Sequence, residues 1–591
     1  MKLSKIYSNF PRRFRTVSFN EGLNVVLGRI KEVKARDKDT HNLGKTLFAQ
    51  MIDFCLLKKR DADFFLYKND RFDDFVFFLE VETHAGEYVT VRRSVNEASK
   101  GAFKRHKTPD QDFSELPEKK WDHWNLPFDK AKEVLDGLLD LTVLKPWSFR
   151  QAVSYSLRSQ RDYDEPFKLA KFAGSHSEWK PFLSHILGFD GKTVARGYEL
   201  EEAIATLESE ERNLIARTSG VADPDQLRGQ IEIVQQEVAG IEQELAKFDF
   251  SPEDKRLTRE LVSQIDSRIV QLNESRYALS SDRAKIESAL GVRLSIDLKS
   301  LKKIFEDSKV YFGDQVKKDF DALEKFNKQL AEERDGYLQK DLEEIESQLV
   351  QIDEELAKLN ERRAEALASL TDNESLSKYK RHTKQLISRQ TDLETLRRTE
   401  NVLSELAENR KEIKAKKKEL ETVSAALEKA VNKQPDRYKD IRHYFDQIVK
   451  KIVDKHGNLY SRVNSKGHLE FDVEVLDDSA KPTSAGQGFS YGRLLCIAFD
   501  LAIMRAYSEE PFPHFVFHDG FLETLDDRKK LNLIEVSREY CKYGIQHIVT
   551  VIESELPRMA NGKKFAFTGE ETILSLTDEG DTGRLFKMPP W

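Results

Sequence analysis

Two stretches far apart decide how this chain is read: Asn42-Leu43-Gly44-Lys45-Thr46 near one end and Phe515-Val516-Phe517-His518-Asp519 near the other. Around the first, Leu23-Asn24-Val25-Val26-Leu27 is a short apolar, partly β-branched run ending at Gly28, the pattern of a buried strand feeding a loop. From Asn42 to Leu57 apolar residues recur at helical spacing, with Leu43, Leu47, Met51, Phe54 and Leu57 on one face. A loop between such a strand and helix offers backbone N–H groups and a positive helix end to phosphate. There Lys45 would reach the outer phosphates and the Thr46 hydroxyl would ligate magnesium. Gly28 stands farther from Gly44 than a compact phosphate loop requires, so Arg29 to Asp39 reads as a basic insertion. Taken alone, Gly44-Lys45-Thr46 is equally a capped helix start that holds a lysine.

The second stretch shifts that balance. Pro513 to Asp519 is an apolar run ending in an acid, the form of a strand whose terminal carboxylate holds magnesium. Leu525-Asp526 follows shortly after it, and upstream Thr483-Ser484-Ala485-Gly486-Gln487-Gly488 is a small, Gly-rich turn leading into an apolar helix from Arg493 to Tyr507. Such a turn offers backbone donors to a γ-phosphate with nothing bulky in the way. Neither half holds Mg-ATP by itself, so the chain must fold back to join its ends.

Composition agrees with a globular part plus a long solvated one: of 591 residues, 39% are hydrophobic and 34% charged. Cys55, Cys496 and Cys541 sit in apolar surroundings without a CxxC pair, and read as reduced core thiols of a cytoplasmic protein. No signal peptide and no long apolar run is present, so no membrane partner is expected. The net charge of -7 is unevenly spread: Met1 to Arg60 holds 14 Lys and Arg against 5 Asp and Glu. That cluster attracts phosphate backbones or is simply a solvated loop.

Residues 196–435 read as an arm. Leu338, Leu342, Ile345, Leu349, Ile352, Leu356 and Leu359 alternate spacings of four and three, an a/d seam that demands a partner helix. It resumes through Leu386, Leu393, Leu396, Leu403, Leu406, Ile413, Leu420 and Leu427, and an outgoing version runs through Leu261, Ile265, Leu272, Leu279 and Ile286. Pro224 and Phe248-Asp249-Phe250-Ser251-Pro252 imply breaks. The turn-back is expected between Gly291 and Leu338, as a small helical apex.

With these residues in place, the chain resembles the ABC-type ATPases of the SMC and SbcC group. Asn42 to Thr46 matches the end of their Walker A motif, Ser484-Ala485-Gly486-Gln487 their signature, Asp519 the Walker B aspartate and Asp526 the D-loop aspartate. More narrowly, the extended loop, His518-Asp519-Gly520 and the hook-free arm resemble the ABC ATPases of bacterial three-component (Lamassu-like) conflict systems. The resemblance implies an α/β ABC-type ATPase head assembled from both chain ends (residues 1–195 and 436–591), with a long antiparallel coiled-coil insertion; the stretch from Gly291 to Leu338 is too short for a globular hinge, and without CxxC no zinc hook is expected. It implies ATP and Mg2+ as cofactors, with ATP on Gly28, Asn42, Leu43, Gly44, Lys45, Thr46 and Gln160, and metal on Thr46 and Asp519. It further implies a homodimer through the heads, DNA as partner, and accessory and nuclease-type effector subunits in an anti-phage or anti-plasmid role. The alternative is a non-hydrolysing scaffold that holds effector subunits.

The chain also departs from that family. Gly520 stands where a water-polarising glutamate follows the Walker B aspartate, and Ile552-Glu553 stands where a switch histidine is expected. Hydrolysis is therefore expected to be slow, with His518 or Glu523 as candidate water-positioning groups; His518 reads equally as a packed strand-end histidine.

Overall fold

The computed structural model describes residues 1–29, 44–59, 61, 64–172, 175–217, 223–247, 254–291, 314–368, 374–477, 479, 481 and 489–589. They form two compact units, Met1–Ala205 with Ala415–Trp591, and Thr206–Lys414. The sequence reading divides the chain instead after residues 195 and 435.

The first unit begins with β1 (Lys2–Ser8), β2 (Val17–Ser18), β3 (Leu23–Arg29) and α1 (Lys45–Cys55). Next come β4 (Val76–Glu82), β5 (Tyr88–Ser94), β6 (Lys100–His106), β7 (His123–Pro127), α2 (Phe128–Leu139), α3 (Phe149–Ser156) and β8 (Leu157–Arg158). Two further helices, α4 (His176–Ile186) and α5 (Gly191–Arg217), lead to α6 (Pro224–Ala246), α7 (Asp254–Gly291), α8 (Asp314–Ala368) and α9 (Glu374–Lys433). The return half holds α10 (Asp436–Val453), β9 (His456–Val463), β10 (Leu469–Leu476), α11 (Phe489–Ala506), β11 (Phe515–His518), α12 (Asp527–Cys541), β12 (Gln546–Ile552) and β13 (Leu574–Thr577).

A parallel sheet in the order β13-β3-β12-β11-β8 joins the two chain ends. Its central strands carry Val25, Val26, Val516, Phe517, Ile548 and Val549, all buried, as a sheet covered on both faces requires. Because β3 and β11 are parallel with β12 between them, the residues following each strand emerge at the same edge, where α/β sheets place their ligands. An antiparallel sheet, β2-β1-β4-β5-β6-β7, is built wholly from the first 127 residues, and β9 and β10 form a separate hairpin. The sequence reading did not foresee the antiparallel sheet.

Aromatic packing ties the termini together. Phe586 sits edge-on to Phe14 at 5.1 Å, Phe72 at 5.2 Å and Phe65 at 5.8 Å, and is 1% exposed. The Gln546 amide, also buried, accepts from Leu3 N and donates to Leu3 O and Asn20 O, each at 2.8 Å. Helix α1 buries Phe48, Met51, Ile52, Phe54 and Cys55, while Leu47 stays half-buried. Its inward face is thus turned from the expected one, because Phe48 is drawn between Phe19 (5.8 Å) and Phe517 (6.2 Å).

In the second unit α6 pairs with α9 and α7 with α8, both antiparallel. Arg228 with Glu400 and Glu237 with Arg389 set the first register; Asp266 with Arg363 and Arg268 with Glu355 set the second. Such pairs contribute at most about 1 kcal/mol each when exposed. The apolar seams hold the helices: Ile265, Ile269 and Leu272 meet Ile352, Leu356 and Leu359, and Leu227 and Ile231 meet Leu393, Leu396, Leu403 and Leu406. Pro224 opens α6 as its first residue with Asp223 as cap, which explains why it interrupts the pattern without kinking a helix. The helix α8 starts at Asp314, so part of the expected apex belongs to it; residues 292–313 lie outside the described residues.

Candidate functional site

The site forms where the ends of β3, β11, β12 and β8 converge. Gly44 caps α1 with φ +96°, a conformation a side chain would strain, and a Cβ there would come within 3.1 Å of Leu585 Cβ. That turn aims the first helical residues at the strand ends. The Thr46 hydroxyl donates to Asp519 Oδ2 at 2.8 Å, and Thr550 Oγ1 donates to Asp519 Oδ1 at 2.6 Å. Thr550 Oγ1 in turn accepts from Gly520 N at 2.8 Å, and Asp519 N donates to Arg158 O at 3.1 Å. The carboxylate is therefore held from both sides.

Lys45 is buried beside this pair. Burial lowers its pKa, opposed by the Asp519, Glu555 and Glu523 carboxylates around it. A cation enclosed by acids at a helix N-terminus suits a polyphosphate that brings its own charge. The Thr46 hydroxyl and Asp519 carboxylate are hard oxygen donors, the kind Mg2+ takes alongside phosphate and water. Among the described residues no group of three or more His, Cys, Asp and Glu could hold a metal ion.

The predicted residues are distributed unevenly. Gly28 lies inside β3, paired with Ile552 and Leu576, and so belongs to the strand and not to the loop, because the ladder runs on to Arg29. Asn42, Leu43 and the turn Ser484-Ala485-Gly486-Gln487 lie outside the described residues. Gln160 reaches the site through Glu523: its Nε2 donates to Glu523 Oε1 at 2.9 Å. Asp526 is the N-cap of α12, accepting from Lys529 N and pairing with Lys529 Nζ at 2.8 Å.

His518, one of the two water-positioning candidates, packs in the core. It is fully buried, with Nε2 3.0 Å from Asp500 Oδ2 and Nδ1 2.7 Å from His547 Nε2. Asp500 receives a two-point clasp from Arg158, Nε to Oδ2 at 2.7 Å and Nη2 to Oδ1 at 2.8 Å. Burial raises the Asp500 pKa, but Arg158 and His518 outweigh it and leave the group below its usual value. An ionised carboxylate only accepts, so His518 Nε2 donates to it and His518 Nδ1 accepts from His547. Burial holds His547 neutral, with the neighbouring His518 adding to the effect. Both faces of the imidazole are thus spent inside the core.

Three contributors escaped sequence reasoning. Arg493 on α11 lies 3.0 Å from Glu523 Oε2, donates to the Gly520 carbonyl, and stacks over Tyr163 at 4.4 Å. Thr550, on β12, looks like any β-branched strand residue. Glu555 ends the short turn after β12, and burial together with Glu523 raises its carboxyl pKa. Only the acidic pair Glu553 and Glu555 directly after a buried strand signalled it.

A family model described as "Uncharacterised protein conserved in bacteria (DUF2326)" matches residues 448–590, a span that includes Asp519, Glu523 and Glu555. No curated protein matches the chain. The Smc head domain with a coiled coil and joint from Pyrococcus yayanosii is 13% identical with a TM-score of 0.34, covering 93% of this chain and 92% of that one. The Smc head domain with an extended coiled coil bound to the C-terminal domain of ScpA, from Pyrococcus furiosus, is 10% identical with a TM-score of 0.30, over 94% of this chain and 90% of that one. The recombination mediator protein RecF with ATPrS in the RecFOR pathway is 8% identical with a TM-score of 0.28, over 95% and 94%. No described helix is long and apolar enough to cross a membrane.

Proposed function

We propose that this chain is an SMC-like, ATP-binding component of a DNA-sensing or DNA-processing complex. The observation that carries the reading is the meeting of Thr46 and Asp519 beside the buried Lys45, assembled from opposite ends of the chain. Lys45 would neutralise the outer phosphates while Thr46 and Asp519 hold Mg2+, which draws charge from the phosphoryl oxygens. Two heads would close on nucleotide, each giving its α1 loop to the Ser484 to Gln487 turn of the other. In finer terms, the complex would be cytoplasmic, would act in anti-phage or anti-plasmid defence, and would include a nuclease-type effector among its partners. DNA as partner is supported by the basic excess in residues 1–60.

Equilibrium binding of Mg-ATP tests the core of this reading. Lys45→Ala should weaken it at least about tenfold, roughly 1.4 kcal/mol. Unchanged affinity in a folded variant would overturn it. Duplex binding should weaken steeply with salt, and replacing Lys31, Lys34, Arg36 and Lys38 with Gln should flatten that slope by a few units, at about 0.9 for each phosphate no longer neutralised.

A second reading rests on Gly520: without a carboxylate there, bound ATP would lock partner subunits together and not be consumed. Multiple-turnover phosphate release separates the two.

A further inference from the structure

Gly520 adopts φ +71°, and a Cβ built on it would lie 2.5 Å from Arg493 Nη1, 2.6 Å from Glu523 Cδ and 2.6 Å from Glu523 Oε1. The space that a side chain on residue 520 needs is already filled by the carboxylate of Glu523. The chain reverses to bring it there: Glu523 N donates to Gly520 O at 3.2 Å, and Thr524 takes φ +67°. We propose that Glu523 is the catalytic carboxylate that orients water for attack on ATP, delivered from three residues downstream into the volume left free by Gly520. Arg493 and Gln160 are the positioning residues, one on each carboxylate oxygen.

Three features distinguish this carboxylate from a structural ion pair. Its side chain keeps 21% of its surface exposed, whereas Arg493 keeps 3% and His518 none, so of Glu523 and His518 it is Glu523 that presents an atom to solvent. It shares the field of Lys45 with Asp519, placing it on the phosphate side of the site. It is also tied to the short turn after β8 through Gln160 and to α11 through Arg493. Those ties fix the carboxylate against rotation, as a group that must hold one water requires.

In the proposed step a water oxygen bonds to the γ-phosphorus as the bond from that phosphorus to its bridging oxygen breaks. ADP leaves with the electron pair, and the water proton passes to the Glu523 carboxylate and then to solvent. The inference rests on the nucleotide-binding reading above, so its test measures binding and turnover on the same samples. With the full-length chain, with and without duplex DNA, Glu523→Gln should lower kcat by about 100-fold or more. KM and nucleotide affinity should stay within about threefold. Formate should restore part of the turnover of Glu523→Ala, a response that lost packing would not give. Arg493→Met should lower kcat at unchanged KM, with Arg493→Lys recovering part of it. Glu523→Gln turning over ATP at the parental rate would overturn the proposal, as would a parent that binds ATP but does not exceed a Lys45→Ala control. In both cases normal nucleotide affinity leaves the binding reading intact. Loss of nucleotide binding by the parent overturns both.

Discussion

The Thr46 hydroxyl and Asp519 Oδ2 stand 2.8 Å apart although 473 positions separate them in the chain. Removing the acid should therefore affect the two ends together. Asp519→Asn keeps the shape but loses the charge that would hold Mg2+ and that helps offset the burial of Lys45. ATP binding should lose its magnesium dependence, with affinity at least about tenfold weaker, roughly 1.4 kcal/mol. Isothermal titration with and without the metal would check this; equal magnesium dependence in parent and variant would refute the assignment.

Gly520 should not tolerate a glutamate. A β-carbon meets Arg493 and Glu523 at 2.5 to 2.6 Å, and the left-handed backbone disfavours any side chain. Gly520→Ala should cost about 1–2 kcal/mol from the backbone alone, with the clash in addition. Gly520→Glu should fall below parental turnover and not above it. Denaturant unfolding and phosphate release read the two effects; a faster Gly520→Glu enzyme would show that the pocket rearranges freely.

Acid should destabilise the first unit through its buried histidines. Burial, and then the nearby N-terminal amine, hold His514 at about 4. From pH 6.5 down to about 4 the unfolded chain binds a proton that the folded chain refuses, so stability falls as pH falls. The loss is about 1.4 kcal/mol per pH unit for this group, and His547 acts in the same direction. Unfolding free energies at pH 7, 6 and 5 would show the trend, and His514→Gln should make it shallower. Identical slopes for parent and variant would contradict the account.

Phe586 predicts a long-range effect of the C-terminal segment. Phe586→Ala removes a buried ring from a cluster of residues between Phe14 and Phe77, and should cost about 3–5 kcal/mol. Because that cluster packs beside β1 and β4, hydrogen exchange should rise there as well as near β13. Protection lost only around residue 586 would show that the termini are not coupled through it.

Much of this protein is legible along the chain. The strand at Leu23, the strand ending in Asp519 and the heptad seams are local patterns, written by side-chain periodicity whatever lies nearby. The Pro224 interruption is local too, since a proline at a helix start declares itself by its missing N–H. Tertiary structure decided which groups meet. Sequence spacing left His518 and Glu523 level as candidates, but packing against Asp500 and His547 closes one inside the core while a reversal at Gly520 presents the other. Arg493 and Thr550 were silent, and Glu555 nearly so, because a side chain's role in a site depends on distances between elements, and no periodicity encodes those. The same reason turned α1: helical spacing marks an apolar face, but only the rings of Phe19 and Phe517 determined that Phe48 would lead it inward.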